Sequence, residues 1–98
     1  MYKLIVRKRA SNALKKAYDW YENEQIGLGN AFIEEIQDCY TKLRSHPFAY
    51  HKVEYEFRQF NLKKFPHVVV YDIDDINELV IIYSIFHPKR HTKKKFED

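Results

Sequence analysis

After a short alternating opening, the apolar positions recur every three or four residues, and past residue 52 they come in short runs parted by turns. In Tyr2–Arg7, Leu4 and Val6 stand against Lys3, Ile5 and Arg7, which predicts a short strand that Lys8 and Arg9 interrupt. Ser11 is expected to cap a helix in which Ala13, Leu14, Ala17, Tyr18 and Tyr21 share a face, with Lys15, Lys16, Asp19 and Glu22 elsewhere. Gly27 is expected to end this helix in a left-handed turn. A second stripe, Leu28, Phe32, Ile36, Cys39, Tyr40 and Leu43, predicts a second helix, with Glu34, Glu35 and Asp38 lying off the stripe and Pro47 stopping it. The connector Ile26-Gly27-Leu28-Gly29 has two glycines, but no strand precedes it and no Gly-Lys-Ser/Thr follows, so it reads as a tight helix–helix turn and not a phosphate loop.

Then the period changes. Val53–Leu62 is strand-like, with Arg58, Phe60 and Leu62 on one face and Tyr55 and Phe57 on the other. Val68–Ile73 and Leu79–Phe86 are rich in β-branched and aromatic residues. Lys63-Lys64-Phe65-Pro66 and the acidic bend Asp74–Glu78 make the turns. The expected fold is α+β, in the order β-α-α-β-β-β: an antiparallel sheet with a helical hairpin packed on one face. The aromatic content, 16%, exceeds what one small core hides, so an apolar groove for a partner segment is expected.

Composition limits the alternatives. Ninety-eight residues with 45% hydrophobic content suit one domain, residues 1–98, with one core. The single cysteine, Cys39, lies on the apolar stripe and reads as a buried thiol. No apolar run approaches the ~18 residues of a membrane span, and no signal-peptide region opens the chain, so a cytoplasmic protein without membrane association is expected. The histidines do not make a metal site: His87 and His91 are four apart, but Pro88 lies between them. Neither a metal nor a small-molecule cofactor is expected.

Charge is sorted into blocks. Residues 1–18 hold six bases and no acid, residues 19–38 six acids and no base, and residues 87–95 five bases and no acid. A meander can bring Arg58 near the chain beyond the third run, so the surface around Arg58 and the basic end is a candidate polyanion site.

The chain resembles the RelE/ParE superfamily, the toxins of type II toxin–antitoxin modules also labelled plasmid-stabilisation proteins. The resemblance is carried, in order, by Asp19-Trp20-Tyr21-Glu22, Gly27-Leu28-Gly29 with Phe32 and Glu35, Arg58, Leu62, Phe65-Pro66-His67, Val70-Tyr71, and Ile85-Phe86-His87 through Arg90. It implies growth inhibition and a cognate antitoxin that covers the toxin. It also implies one of two activities: cleavage of mRNA at the ribosome, or inhibition of DNA gyrase without cleavage. For cleavage, Arg58 and Arg90 match the family arginines that hold phosphate, and Lys52, Lys63 and Lys64 add charge. Phe96 falls where several of the nucleases have a tyrosine, and a phenyl ring moves no proton. His87 or His91 would then have to serve as acid or base. For gyrase inhibition, the basic stretch through Lys93, Lys94 and Lys95 is the expected contact surface. The phenylalanine inclines the reading toward the gyrase inhibitor.

Overall fold

The computed structural model describes residues 1–89. Strand β1 (Lys3–Val6) leads into helices α1 (Lys8–Glu24) and α2 (Leu28–Ser45), and a 3-10 turn over Pro47–Ala49 follows. Strands β2 (Lys52–Glu54), β3 (Phe57–Asn61), β4 (Val68–Asp74) and β5 (Leu79–Phe86) complete the fold. The sheet order is β1-β5-β4-β3-β2. The β-α-α-β-β-β plan and the hairpin on one face are as expected.

Three details differ from the expectation. The sheet is mixed: β2 to β5 form the antiparallel meander, but β1 lies parallel to β5, with Lys3 opposite Leu79 and Val6 opposite Ile82. The α1–α2 hairpin acts as the crossover that a parallel pair needs. Second, Val53–Leu62 is two strands, because Tyr55 takes a left-handed φ of 54° and folds β2 back on β3. Third, Ser11 does not cap α1. The Arg7 N–H donates to the Ile82 carbonyl at 3.0 Å, and the chain turns straight into helix at Lys8. Lys8 and Arg9 therefore open the helix instead of interrupting the strand, and Ser11 Oγ bonds back to the Lys8 carbonyl at 3.1 Å.

The core lies between the hairpin and the sheet. Phe32, Ile36, Cys39 and Leu43 descend from α2, Ala10 and Tyr21 from α1, and they meet Val69, Tyr71, Val80, Ile82 and Ile85. Full burial of a side chain such as Phe32 stabilises the fold by about 1.5–3 kcal/mol. The Tyr71 hydroxyl donates to the Pro47 carbonyl at 2.6 Å and ties the 3-10 turn to the sheet. Burial pushes the Cys39 thiol up to about 12, so it stays protonated and inert, as its place on the stripe suggested.

Strand β5 carries a bulge. Val70 pairs with Ser84 and Tyr71 with Ile82, so Tyr83 is skipped. Before the bulge the even residues Val80 and Ile82 face the helices; after it the odd residue Ile85 does. On the opposite face Phe86 joins Val68 and Val70, with Phe57 and Tyr83 packed against them. Among the described residues, no helix is long and apolar enough to cross a membrane.

Candidate functional site

Arg58 and His87, expected to act together, lie in different places. Arg58 pairs with Tyr71, which pairs with Ile82 in mid-β5, whereas His87 follows the end of that strand. Two strand spacings and about four residues of rise separate their backbones by roughly 15 Å.

Arg58 sits at the β2–β3 corner, half-buried, with Lys52 directly across. Its Nη1 donates to the Tyr50 carbonyl at 2.5 Å and approaches that of Phe48 at 3.4 Å. Its guanidinium carbon stands 5.2 Å from the centre of the Phe48 ring. The cation thus pins the segment after α2 against β3, and charge-assisted bonds of this kind are among the stronger ones. Lys52 pairs with Glu56 at 3.0 Å on the exposed surface.

Lys63 and Lys64 contribute backbone as much as charge. Both of their N–H groups donate to the Glu35 carboxylate, Lys64 at 3.1 and 3.2 Å. Glu35, off the apolar stripe in sequence, is half-buried and clamps the β3–β4 turn to α2. The two lysine side chains remain exposed.

His87 belongs to a cleft of about 710 Å³ between the start of α1 and the end of β5. The bulge places it there, since the phase change that turns Ile85 toward the helices applies equally two residues on. The His87 ring lies 5.4 Å from that of His67, which is 5% exposed and packs 5.1 Å from Phe32. Tyr21 Oη and His67 Nδ1 are 3.4 Å apart. His87 Nδ1 accepts from the Lys89 N–H at 3.2 Å, so in the neutral ring Nε2 carries the proton. Arg7, Lys8, Arg9 and Lys16 supply four cations, and the described lining residues include no carboxylate. Trp20 completes the wall and is 45% exposed. On the neighbouring sheet face, Arg7 and Arg9 stand 5.8 and 5.4 Å over the Tyr83 ring.

Motif reading missed Arg7, Arg9, Lys16, Trp20 and His67 as site residues. The signal for them was the acid-free basic block of residues 1–18, which says nothing of what it faces. Arg90, His91, Lys93, Lys94 and Lys95, together with Phe96, lie outside the described residues.

Comparison with known proteins adds a family and a fold. A family described as the ParE toxin of type II toxin–antitoxin system, parDE, matches residues 4–92. A chain of the intact RelBE toxin–antitoxin complex of E. coli superposes with a TM-score of 0.68 at 17% identity, covering 87% of this chain and 94% of that one. The chromosomal ParDE system of P. aeruginosa gives 0.64 at 16% identity, with 89% and 96% covered. The RelBE2 complex of Mycobacterium tuberculosis gives 0.61 at 16% identity, with 88% and 96% covered. No curated protein sequence matches. At these identities the solved structures share the fold, and the likeness speaks to RelE-type and ParE-type chains alike.

Proposed function

Because the chain belongs to the ParE toxin family of type II toxin–antitoxin systems, we propose that it arrests growth by binding DNA gyrase, without cleaving RNA, and that a cognate antitoxin neutralises it. The observation that carries this reading is the engagement of Arg58. A guanidinium bonded to the Tyr50 carbonyl at 2.5 Å and stacked on Phe48 is committed to holding the fold. A nuclease would need it to meet phosphorane charge, with a proton-transfer group close by. His87, the nearest titrating candidate by sequence, lies away from Arg58 in the cleft between α1 and the end of β5, and Phe96 offers no proton. A toxin that works by contact needs neither. The basic residues Arg90, Lys93, Lys94 and Lys95 then serve as a charged contact surface, and the identity of His87 and His91 is immaterial to growth arrest. The antitoxin role is supported by the fold shared with toxin–antitoxin complexes.

The test compares two readouts after induction in cells: supercoiling of a reporter plasmid, and mRNA ends mapped on translating ribosomes. Loss of supercoiling with unchanged mRNA ends is expected, and His87→Ala and His91→Ala should remain toxic. Codon-phased cleavage that disappears in either histidine variant overturns the proposal in favour of a ribosome-dependent nuclease. Arg58→Ala should lower stability by about 1.5–3 kcal/mol through the lost charge-assisted bonds, read as a shifted denaturation midpoint.

A further inference from the structure

We propose that the sheet face turned away from the helices pairs with the same face of a second copy of this chain, across a two-fold axis along β5 that sets Lys3 of each copy against Asp74 of the other. This goes beyond the proposed target and does not depend on it.

Two observations carry this. The first is the composition of the face. Leu4 and Val6 of β1, Tyr71 and Ile73 of β4, and Val80 and Ile82 of β5 pack toward the helices. The alternate residues Lys3 and Ile5, Asp72 and Asp74, and Leu79 and Ile81 therefore stand on the opposite face. Ile5 is 42% exposed there, and Leu79 and Ile81 are half-buried. A sheet face meant only for water alternates to polar residues, whereas along β5 both sides are apolar. The second is the order of charge. Lys3 and Asp74 both pair with Leu79, from opposite sides, and Ile5 and Asp72 both pair with Ile81. The cation thus stands one strand to one side of β5 and the acid one strand to the other, at the same height. Rotation about an axis along β5 lays β1 of one copy over β4 of the other. Lys3 then meets Asp74 twice, with Leu79 and Ile81 stacked at the axis. Packed sheets lie about 10 Å apart, a gap that a lysine and an aspartate side chain bridge together. Among the described residues, Lys3 has no ion-pair partner within its own chain.

Other occupants match the face less well. A polyanion would meet Asp72 and Asp74, and a basic segment would meet Lys3. The face carries both signs, in the order that a self-complementary patch requires. Two copies could also join edge to edge through β1, antiparallel and centred on Ile5. That would set Lys3 of one copy beside Arg7 of the other, and like charges directly opposite are destabilising. The face spans about 20 Å across the strands and about 25 Å along β5, roughly 500 Å² per copy. An area of that order gives a concentration-dependent dimer and not an obligate one.

Sedimentation equilibrium of the full chain, from micromolar to sub-millimolar concentration at low salt, tests the assembly. The mass should rise from the 12.0 kDa of one chain to about twice that value. Lys3→Asp and Asp74→Lys should each raise the dissociation constant by roughly tenfold or more, because attraction turns to repulsion at two places. The two changes together should bring it back to within about threefold of the parent. Ile5→Asp, at an exposed position, places an acid over Asp72 of the other copy and should also weaken the dimer. It leaves the Asp74–Asn77 turn untouched, so it reads the interface even if Asp74→Lys fails to fold. Thermal midpoints in dilute solution check that each variant keeps its fold. A monomer at every concentration, or a mass that climbs past the dimer, overturns the proposal. So does a double variant no tighter than the single ones. Tighter association of Lys3→Asp overturns it in favour of pairing through the β1 edge. No gyrase, ribosome or antitoxin enters the assay, so its outcome is separate from that of the toxicity experiments.

Discussion

The two helices begin in opposite ways. At the start of α2, Gly27 adopts φ 92°, and the Glu22 carboxylate reaches across from α1 to accept from the Gly27 N–H at 3.0 Å and the Gly29 N–H at 3.0 Å. Two orphan amides and the helix dipole are thus satisfied by an acid of the same chain. Among the described residues no such acid caps the start of α1, where Arg7 precedes the helix and Lys8 and Arg9 open it. One start carries an acid where the dipole prefers it, and the other carries bases in its first turn. The charge at a helix start in this fold is therefore not set by the dipole alone, since the dipole favours an acid at both starts.

Substitutions can break this contrast from either side. The largest effect is expected at the capped start. A Cβ on Gly29 would lie 2.8 Å from Tyr18 Cε1 and 2.9 Å from Glu22 Oε1. Gly29→Ala must therefore displace the tyrosine ring or the capping carboxylate, at about 1–3 kcal/mol. In a chain of this size that lowers Tm by roughly 4–8 °C per kcal/mol, and Glu22→Gln should reproduce part of the loss without adding volume. An unchanged Tm in both would mean the cap contributes nothing.

At the basic start the sign should reverse. Lys8→Glu puts an acid in the first turn of α1 and is expected to raise stability by about 0.3–1 kcal/mol at low salt. A denaturant titration at low and high salt reads this, and a destabilised variant would show that Lys8 has a structural partner.

The smallest effect concerns a carboxylate used internally at the far turn. The side-chain bond from Asn77 holds Asp74 below the usual carboxylate range, helped by the Asn77 backbone N–H. Since its folded pKa is depressed, Asp74 contributes stability above the unfolded value, and that contribution fades as pH falls through the folded one. Asn77→Ala should flatten the acid side of the stability profile slightly and leave neutral pH nearly untouched.

Much of this was legible in the chain because periodicity reports burial. The α2 stripe, the span of β5 and the inert Cys39 all follow from which residues must leave water. What stayed hidden depends on contacts between distant segments. Tyr55 and Glu56 give no glycine or proline to announce the β2–β3 fold-back. Arg58 reads as a surface cation until the Tyr50 carbonyl appears beside it. Glu22 and Glu35 look like solvated acids, yet each binds backbone N–H groups several residues or a whole element away. His67 is polar by type but packs against Tyr21 and Phe32, which in turn hold Phe65. The cleft itself exists only because the parallel edge strand brings the first ten residues alongside the last strand.

The bulge at Tyr83 has a consequence for how the chain finds its register. Seven residues of β4 are laid against eight of β5, as the two scales of a vernier are laid together, and they agree in one alignment. A regular pair could slide by two positions and still present apolar residues to the same side. Here any slide would leave the extra residue against the wrong partner, setting Tyr83 or Ser84 where Ile82 or Ile85 belongs. The central hairpin is thereby keyed against mispairing while it forms, and one tyrosine supplies the key.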